Sequence, residues 1–144
     1  MLAPIRTMRS STIACLSGRA RVQRKEEIMK FMLLIYGNER ADAKRKPAEN
    51  EAVFGAYMAY GKAMREAGAY VDGAPLLPST TARTVQVRKS KTAKRTGPAF
   101  KTKEALGGYY IIEAKSAAEA AKWAAKCPGA KDGSVEVRPL MPMG

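Results

Sequence analysis

An α+β fold, one antiparallel sheet with two helices on one face, is the architecture this sequence predicts. Three observations carry that expectation. Strand-length apolar runs and helix-period stretches alternate in the order strand, helix, two or three strands, helix, strand. Each helical stretch has a single apolar face, so both helices need one common surface to cover. The chain has 144 residues and no internal repeat, which suits one domain large enough for its own core.

The elements follow in order. Residues 1–28 stand apart: Arg6, Arg9, Arg19, Arg21 and Arg24 occur with several Ser and Thr, and no acid precedes Glu26. The composition suits an organellar transit peptide. It also suits an upstream in-frame extension, which Met29 favours by opening a strand directly. On either reading the segment is a basic, disordered extension, and the domain spans 29–144. MKFMLLIY (29–36) is a continuous apolar strand, which predicts burial on both faces. Gly37-Asn38 ends it, and the polar stretch 38–50 places Pro47 where a helix can begin. Over 48–67, Val53, Tyr57, Tyr60, Met64 and Ala67 share one helical face, and Gly68 supplies the stop. Those tyrosines read first as core. Gly55 and Gly61 each weaken the helix by about 1 kcal/mol relative to Ala, so packing has to hold it.

The next strand, 69–77, contains Asp72-Gly73 and Pro75, which suit a sheet edge or a bend. TVQVR (84–88) alternates as a half-exposed strand, and KSKTAKR (89–95) turns a hairpin and returns as a weak strand. The stretch 108–113 is the clearest strand of all. Ser116 with Glu119 forms a capping box for a helix that ends before Cys127-Pro128-Gly129. Ala120, Trp123, Ala124 and Cys127 share its inner face, with Trp123 a core anchor. GSVEVRPL (133–140) closes the fold as an alternating strand. This order is that of a ferredoxin-like split βαβ sandwich. Its second sheet face needs cover, which predicts a face-to-face homodimer.

Composition narrows the chemistry. Lys and Arg number 26 against 13 acids, a net charge of +13 that attracts nucleic acid, acidic surfaces or anionic metabolites. The chain has no histidine, so the commonest general base at neutral pH is missing, and any proton transfer falls to carboxylates, Lys, Tyr or water. Cys15 and Cys127 lie far apart without metal spacing, so neither a metal nor a cofactor is expected and a reducing, cytoplasmic setting fits. No apolar run approaches the ~20 residues of a membrane span, so no membrane partner is expected.

Residues 96–114, TGPAFKTKEALGGYYIIEA, hold a rigid bend, a charged cluster, a double glycine and a strand. Together with MKFMLLIYGNE, AAEAAKWAAKCPGA and GSVEVRPLMP they make 29–141 resemble the YCII-related, or DGPF, family. The resemblance implies a small cytoplasmic bacterial protein whose ferredoxin-like chains pair as a dimeric α+β barrel. It implies no assigned activity, although barrels of this kind include lactone isomerases and dehalogenases, and many family genes neighbour sigma factors. The family motif DGPFAETKE is matched at Gly97, Pro98, Thr102, Lys103 and Glu104. Thr96, Ala99 and Lys101 replace its Asp, Phe and first Glu. Two carboxylates lost and one cation gained move any site here about three charge units toward positive. The histidine of the founding branch's His-Asp dyad is absent.

A small-molecule site is the leading expectation. Glu104 is its candidate acid or base, Lys103 its anion or carbonyl partner, and Tyr109 a hydroxyl donor. Gly97, Pro98, Thr102 and Gly108 would frame the ligand, and the added positive charge makes a small anion the expected ligand. Catalysis stays open. The second expectation is weak, non-specific nucleic-acid binding through the acid-free basic stretch from Arg83 to Lys103. Aromatic residues are not interleaved there as single-strand binders require. A regulatory dimer without a ligand is the third.

Overall fold

A computed structural model of the chain describes residues 27–143. All but Glu27 and Ile28 of the basic extension read over 1–28 lies outside the described residues. The elements are β1 (Met29–Gly37), α1 (Glu39–Ala43), α2 (Pro47–Glu66), β2 (Tyr70–Pro75), a 3-10 turn (Ser79–Thr81), β3 (Arg83–Arg88), β4 (Lys91–Thr96), β5 (Ala105–Ala114), α3 (Ala117–Lys126), α4 (Gly129–Asp132) and β6 (Ser134–Pro139). Strands β2, β5, β1 and β6 lie in that order in one antiparallel sheet, and β3 and β4 form a separate two-stranded ribbon. The ferredoxin-like α+β fold is therefore present. The four-stranded sheet is open, with no closed barrel among the described residues.

Local chemistry sets the boundaries. Pro47 opens α2, where its missing N–H costs no hydrogen bond, and Gly68 takes φ 72 just beyond the helix end. Ala67, expected on the apolar face, is instead the exposed C-cap. Two short helices went unread in the sequence. Asn38 caps α1 by accepting from the N–H groups of Arg40 and Ala41 at 3.1 and 3.2 Å. The four-residue α4 follows Pro128 directly. Ser116 caps α3 through the N–H of Glu119 at 3.1 Å, while the Glu119 carboxylate reaches back to the N–H of Lys115 rather than closing the box on Ser116.

The core lies between the helices and one face of the sheet. Phe31 and Leu33 of β1 and Ile112 and Ala114 of β5 meet Tyr60 and Met64 of α2 and Ala120 and Ala124 of α3. Trp123 packs on this core edge-on to Tyr60, with ring centroids 6.3 Å apart, and its carbonyl accepts the Tyr60 hydroxyl at 2.7 Å. The opposite face is different. Met32 pairs with Ile111 and Leu34 with Tyr109 across β1 and β5, and all four are half-buried. Burial of β1 on both faces is thus realised on one face only, because the helices all pack on the other. Among the described residues no helix is long and apolar enough to cross a membrane.

The approach to β5 explains its odd sequence. Thr96 ends β4, and Gly97 turns at φ 110, where a side chain would be strained. The register of β1 on β5 slips between Ile35 and Tyr36, which oppose Gly108 and Leu106, so Gly107 is the extra residue of a bulge. At Gly108 a Cβ would lie 3.1 Å from the Ala74 carbonyl, so glycine lets the edge strand come close.

Candidate functional site

Helix α2 meets the sheet chiefly through Tyr57, Tyr60 and Met64. Small residues elsewhere on it, among them Ala52, Ala56, Ala59 and Gly61, leave open space along both of its sides. On the side of the β2 edge this space is a cleft of about 450 Å³. Phe54, Met58 and Arg65 reach it from α2, Tyr70 and Pro75 from β2, and Gly108, Tyr109 and Tyr110 from β5. Two glycines shape it. At Gly73 a Cβ would strike the Tyr110 ring at 2.6 Å and the Tyr109 carbonyl at 2.9 Å, so only glycine lets Tyr110 lie against β2. At Gly61 a Cβ would sit 3.3 Å from the Arg65 guanidinium, which instead lies over the Tyr70 ring, 4.3 Å from its centroid.

Arg65 is the only charged residue that lines this cleft. The tyrosines around it stay protonated. Burial, with Cys127 beside it, pushes the Tyr57 hydroxyl far above its ordinary range, and Tyr60 is raised the same way. Burial also raises Tyr110, which the Arg65 cation only partly offsets. Cys127 is itself raised by burial, against the lowering effect of hydrogen bonds from the Gly129 backbone and Tyr57. At neutral pH the cleft therefore offers a cation, phenol donors and apolar walls, and no carboxylate. Such a set binds an anion by its charge and a ring or chain by its walls. Cys127, a buried neutral thiol, is no nucleophile in this state.

On the other side of α2 runs a wider groove of about 1110 Å³, with Tyr57 and Ile35 in the wall between the two. Its acids are engaged: Asp42 pairs with Arg45 at 2.7 Å, and Glu39 accepts from the N–H and hydroxyl of Ser79. That carboxylate holds the 3-10 turn against α1, which is a structural task.

The residues expected from sequence separate into two groups. Gly108 and Tyr109 border the first cleft. Gly97, Pro98, Thr102, Lys103 and Glu104 line neither opening and lie on the route from β4 to β5. There the Gly97 carbonyl accepts from Thr84 at 2.8 Å, and the Pro98 and Ala99 carbonyls accept from the Arg95 guanidinium at 2.9 and 2.8 Å. The Thr102 hydroxyl donates to the Glu104 carbonyl, and the Glu104 carboxylate accepts from the Ser134 hydroxyl at 2.9 Å, joining the starts of β5 and β6. Lys103 is exposed and takes part in no ion pair among the described residues. Sequence reading missed Arg65. Its signal was a second stripe, Phe54, Met58, Gly61 and Arg65, which repeats at helical spacing beside the apolar face.

Comparison with known proteins agrees with this architecture. The profile of the YCII-related domain matches residues 29–144. An uncharacterized protein of Rhizobium meliloti (strain 1021) is 34% identical over 114 residues, which cover 78% of this chain and 92% of that protein. With a match over nearly all of its folded part, the chain belongs to the YCII-related domain family.

Proposed function

We propose that this protein acts as a cytoplasmic homodimer whose cleft between α2 and the β2 edge binds a small anionic molecule with an aromatic or aliphatic body. The observation that carries the reading is Arg65, the single charge in a cleft walled by Phe54, Met58 and Tyr70. Its volume of about 450 Å³ falls in the range of roughly 300–1,000 Å³ that small-molecule sites occupy. Phenols that stay protonated supply donors to an anion without competing for its charge. The half-buried face of Met32, Leu34, Tyr109 and Ile111 supports pairing through the sheet, and the free Cys127 thiol suits a reducing compartment.

The test is calorimetric titration with aromatic and medium-chain monocarboxylates beside their uncharged amides, repeated on Arg65→Gln. A charge-assisted hydrogen bond contributes about 1.5–3 kcal/mol, so the substitution should weaken acid binding by roughly 10- to 150-fold. Amides should bind poorly to both proteins. Equal binding of acid and amide, or acids that bind Arg65→Gln as they bind the wild type, would remove Arg65 from the site and the reading with it.

A further inference from the structure

We propose that the β3–β4 ribbon is a second binding element, a basic finger that docks on the phosphate backbone of double-stranded DNA without sequence preference. This inference is independent of the cleft. The stretch 73–103 holds eight Lys and Arg and no acid, and none of those eight is in an ion pair among the described residues. The ribbon pairs only with itself and stands apart from the main sheet. Every residue of β4 is exposed, as is every residue of β3 except Thr84.

The register sorts the ribbon's side chains. Thr84, Gln86 and Arg88 oppose Arg95, Ala93 and Lys91, so these six share one face. That face carries three cations and no large apolar group. Lys89 and Ser90 form the tip, both at positive φ (50 and 65), the backbone of a tight hairpin turn. The base is clamped. Gly97 donates its N–H to the Ala82 carbonyl at 2.7 Å, Thr84 holds the Gly97 carbonyl, and Arg95 braces the Pro98 and Ala99 carbonyls. A clamped ribbon presents its cations without a large ordering cost on binding.

Size and charge favour duplex DNA over other anionic surfaces. Six residues per strand make the ribbon ~20 Å long, and a two-stranded ribbon enters a major groove about 12 Å wide. The cationic face has only Thr84, Gln86 and Ala93 between its charges, so it offers nothing large to insert into a bilayer. Phe100, 83% exposed, stands alone beyond the ribbon, short of the aromatic series that single strands stack on.

The experiment uses the full chain and a fluorescent 25-base-pair duplex, with anisotropy read from about 50 to 200 mM KCl. Wild type should bind two unrelated duplexes alike, with affinity falling steeply as salt rises. The triple variant R88Q/K91Q/K94Q keeps the Thr84 and Arg95 clamp. It should bind at least tenfold more weakly and reduce the log–log salt slope by about 2–3, since each phosphate contact contributes ~0.9. A control, K44Q/K115Q/K122Q, removes the same charge from exposed positions elsewhere and should change affinity less than threefold. Circular dichroism should match wild type for both. The proposal is overturned if wild type does not bind at the lowest salt, or if the control loses as much affinity as the ribbon variant. It is also overturned if phosphatidylserine vesicles bind through the ribbon in place of DNA.

Discussion

The phenol and thiol cluster at the base of α2 makes this fold sensitive to alkali in a way that can be measured. Tyr57, Tyr60, Tyr110 and Cys127 are all held protonated beyond their ordinary ranges, chiefly by burial and then by one another. In the unfolded chain a tyrosine ionises near pH 10 and a cysteine near 8.5. Their contribution is therefore fully present below those values. It is lost as pH rises, because the unfolded state releases protons that the folded state keeps. Each such group costs about 1.4 kcal/mol per pH unit. Tyr57 and Tyr60, the two raised furthest, give roughly 3 kcal/mol per unit above pH ~10.5. All four give about 5, against a total stability of about 5–15 kcal/mol for a domain. Urea unfolding at about pH 8, 10 and 11 should show a flat midpoint followed by a steep fall. Tyr60→Phe should cost ~1 kcal/mol at pH 8 by freeing the Trp123 carbonyl, and should flatten the alkaline slope by about 1.4 kcal/mol per unit. At pH ~11 the native protein should show fewer phenolates by ultraviolet absorbance than the same protein in urea. A midpoint that holds from pH 8 to 11, or equal phenolate counts in both states, refutes the reasoning.

Two further substitutions test the other surfaces. Ile111→Glu sets a carboxylate at the centre of the outer sheet face, and two-fold pairing places it there twice. Light scattering should fall from twice the 15.6 kDa chain mass to that mass; a wild-type monomer at micromolar concentration, or a variant that still pairs, rejects the dimer. Lys103→Met and Glu104→Gln keep shape while removing charge. If their loop belongs to the site, both should lose ligand binding with the unliganded melting point within about 2 °C of wild type, since a solvated charge contributes only ~0–1 kcal/mol to stability. Binding equal to wild type in both leaves the loop as the route into β5.

The legible part of this fold was the part that pattern dictates. Alternation and helical spacing placed every sheet strand, both long helices and the inner faces that carry Met64, Ala120 and Cys127. Pro75 read correctly as an edge residue, because a missing N–H is tolerated where no further strand follows. The cleft was harder to read. A cavity is set by what side chains fail to fill, and Ala52, Ala56 and Gly61 carry no periodic signal of their own. Arg65 read as one more surface cation because its distinction, a ring beneath it and no acid nearby, exists only after β2 folds against α2. Conversely, Lys103 and Glu104 drew attention as matches to a motif, while the structure gives Glu104 a hydrogen bond to Ser134 and gives Lys103 to solvent.

The placement of the ribbon has one more consequence. Strands β2 and β5 are sheet neighbours that pair up to Pro75 and Gly108, and the Leu76 N–H continues the ladder to the Gly107 carbonyl at 2.9 Å. The chain from 77 to 106 thus leaves the sheet and returns to almost the same point. Lengthening such an excursion costs little, since closure entropy grows only as the logarithm of loop length. Charge can accumulate on the ribbon without passing through the core or the cleft. Arg88, Lys91 and Lys94 share no hydrogen bond or ion pair with Arg65. Changes at separated sites without shared partners add to within about 0.5 kcal/mol. The combined variant R65Q/R88Q/K91Q/K94Q should therefore show the carboxylate affinity of Arg65→Gln and the DNA affinity of the triple variant, each within about twofold. DNA that weakens carboxylate binding to the wild type would show instead that the ribbon and the cleft answer to each other.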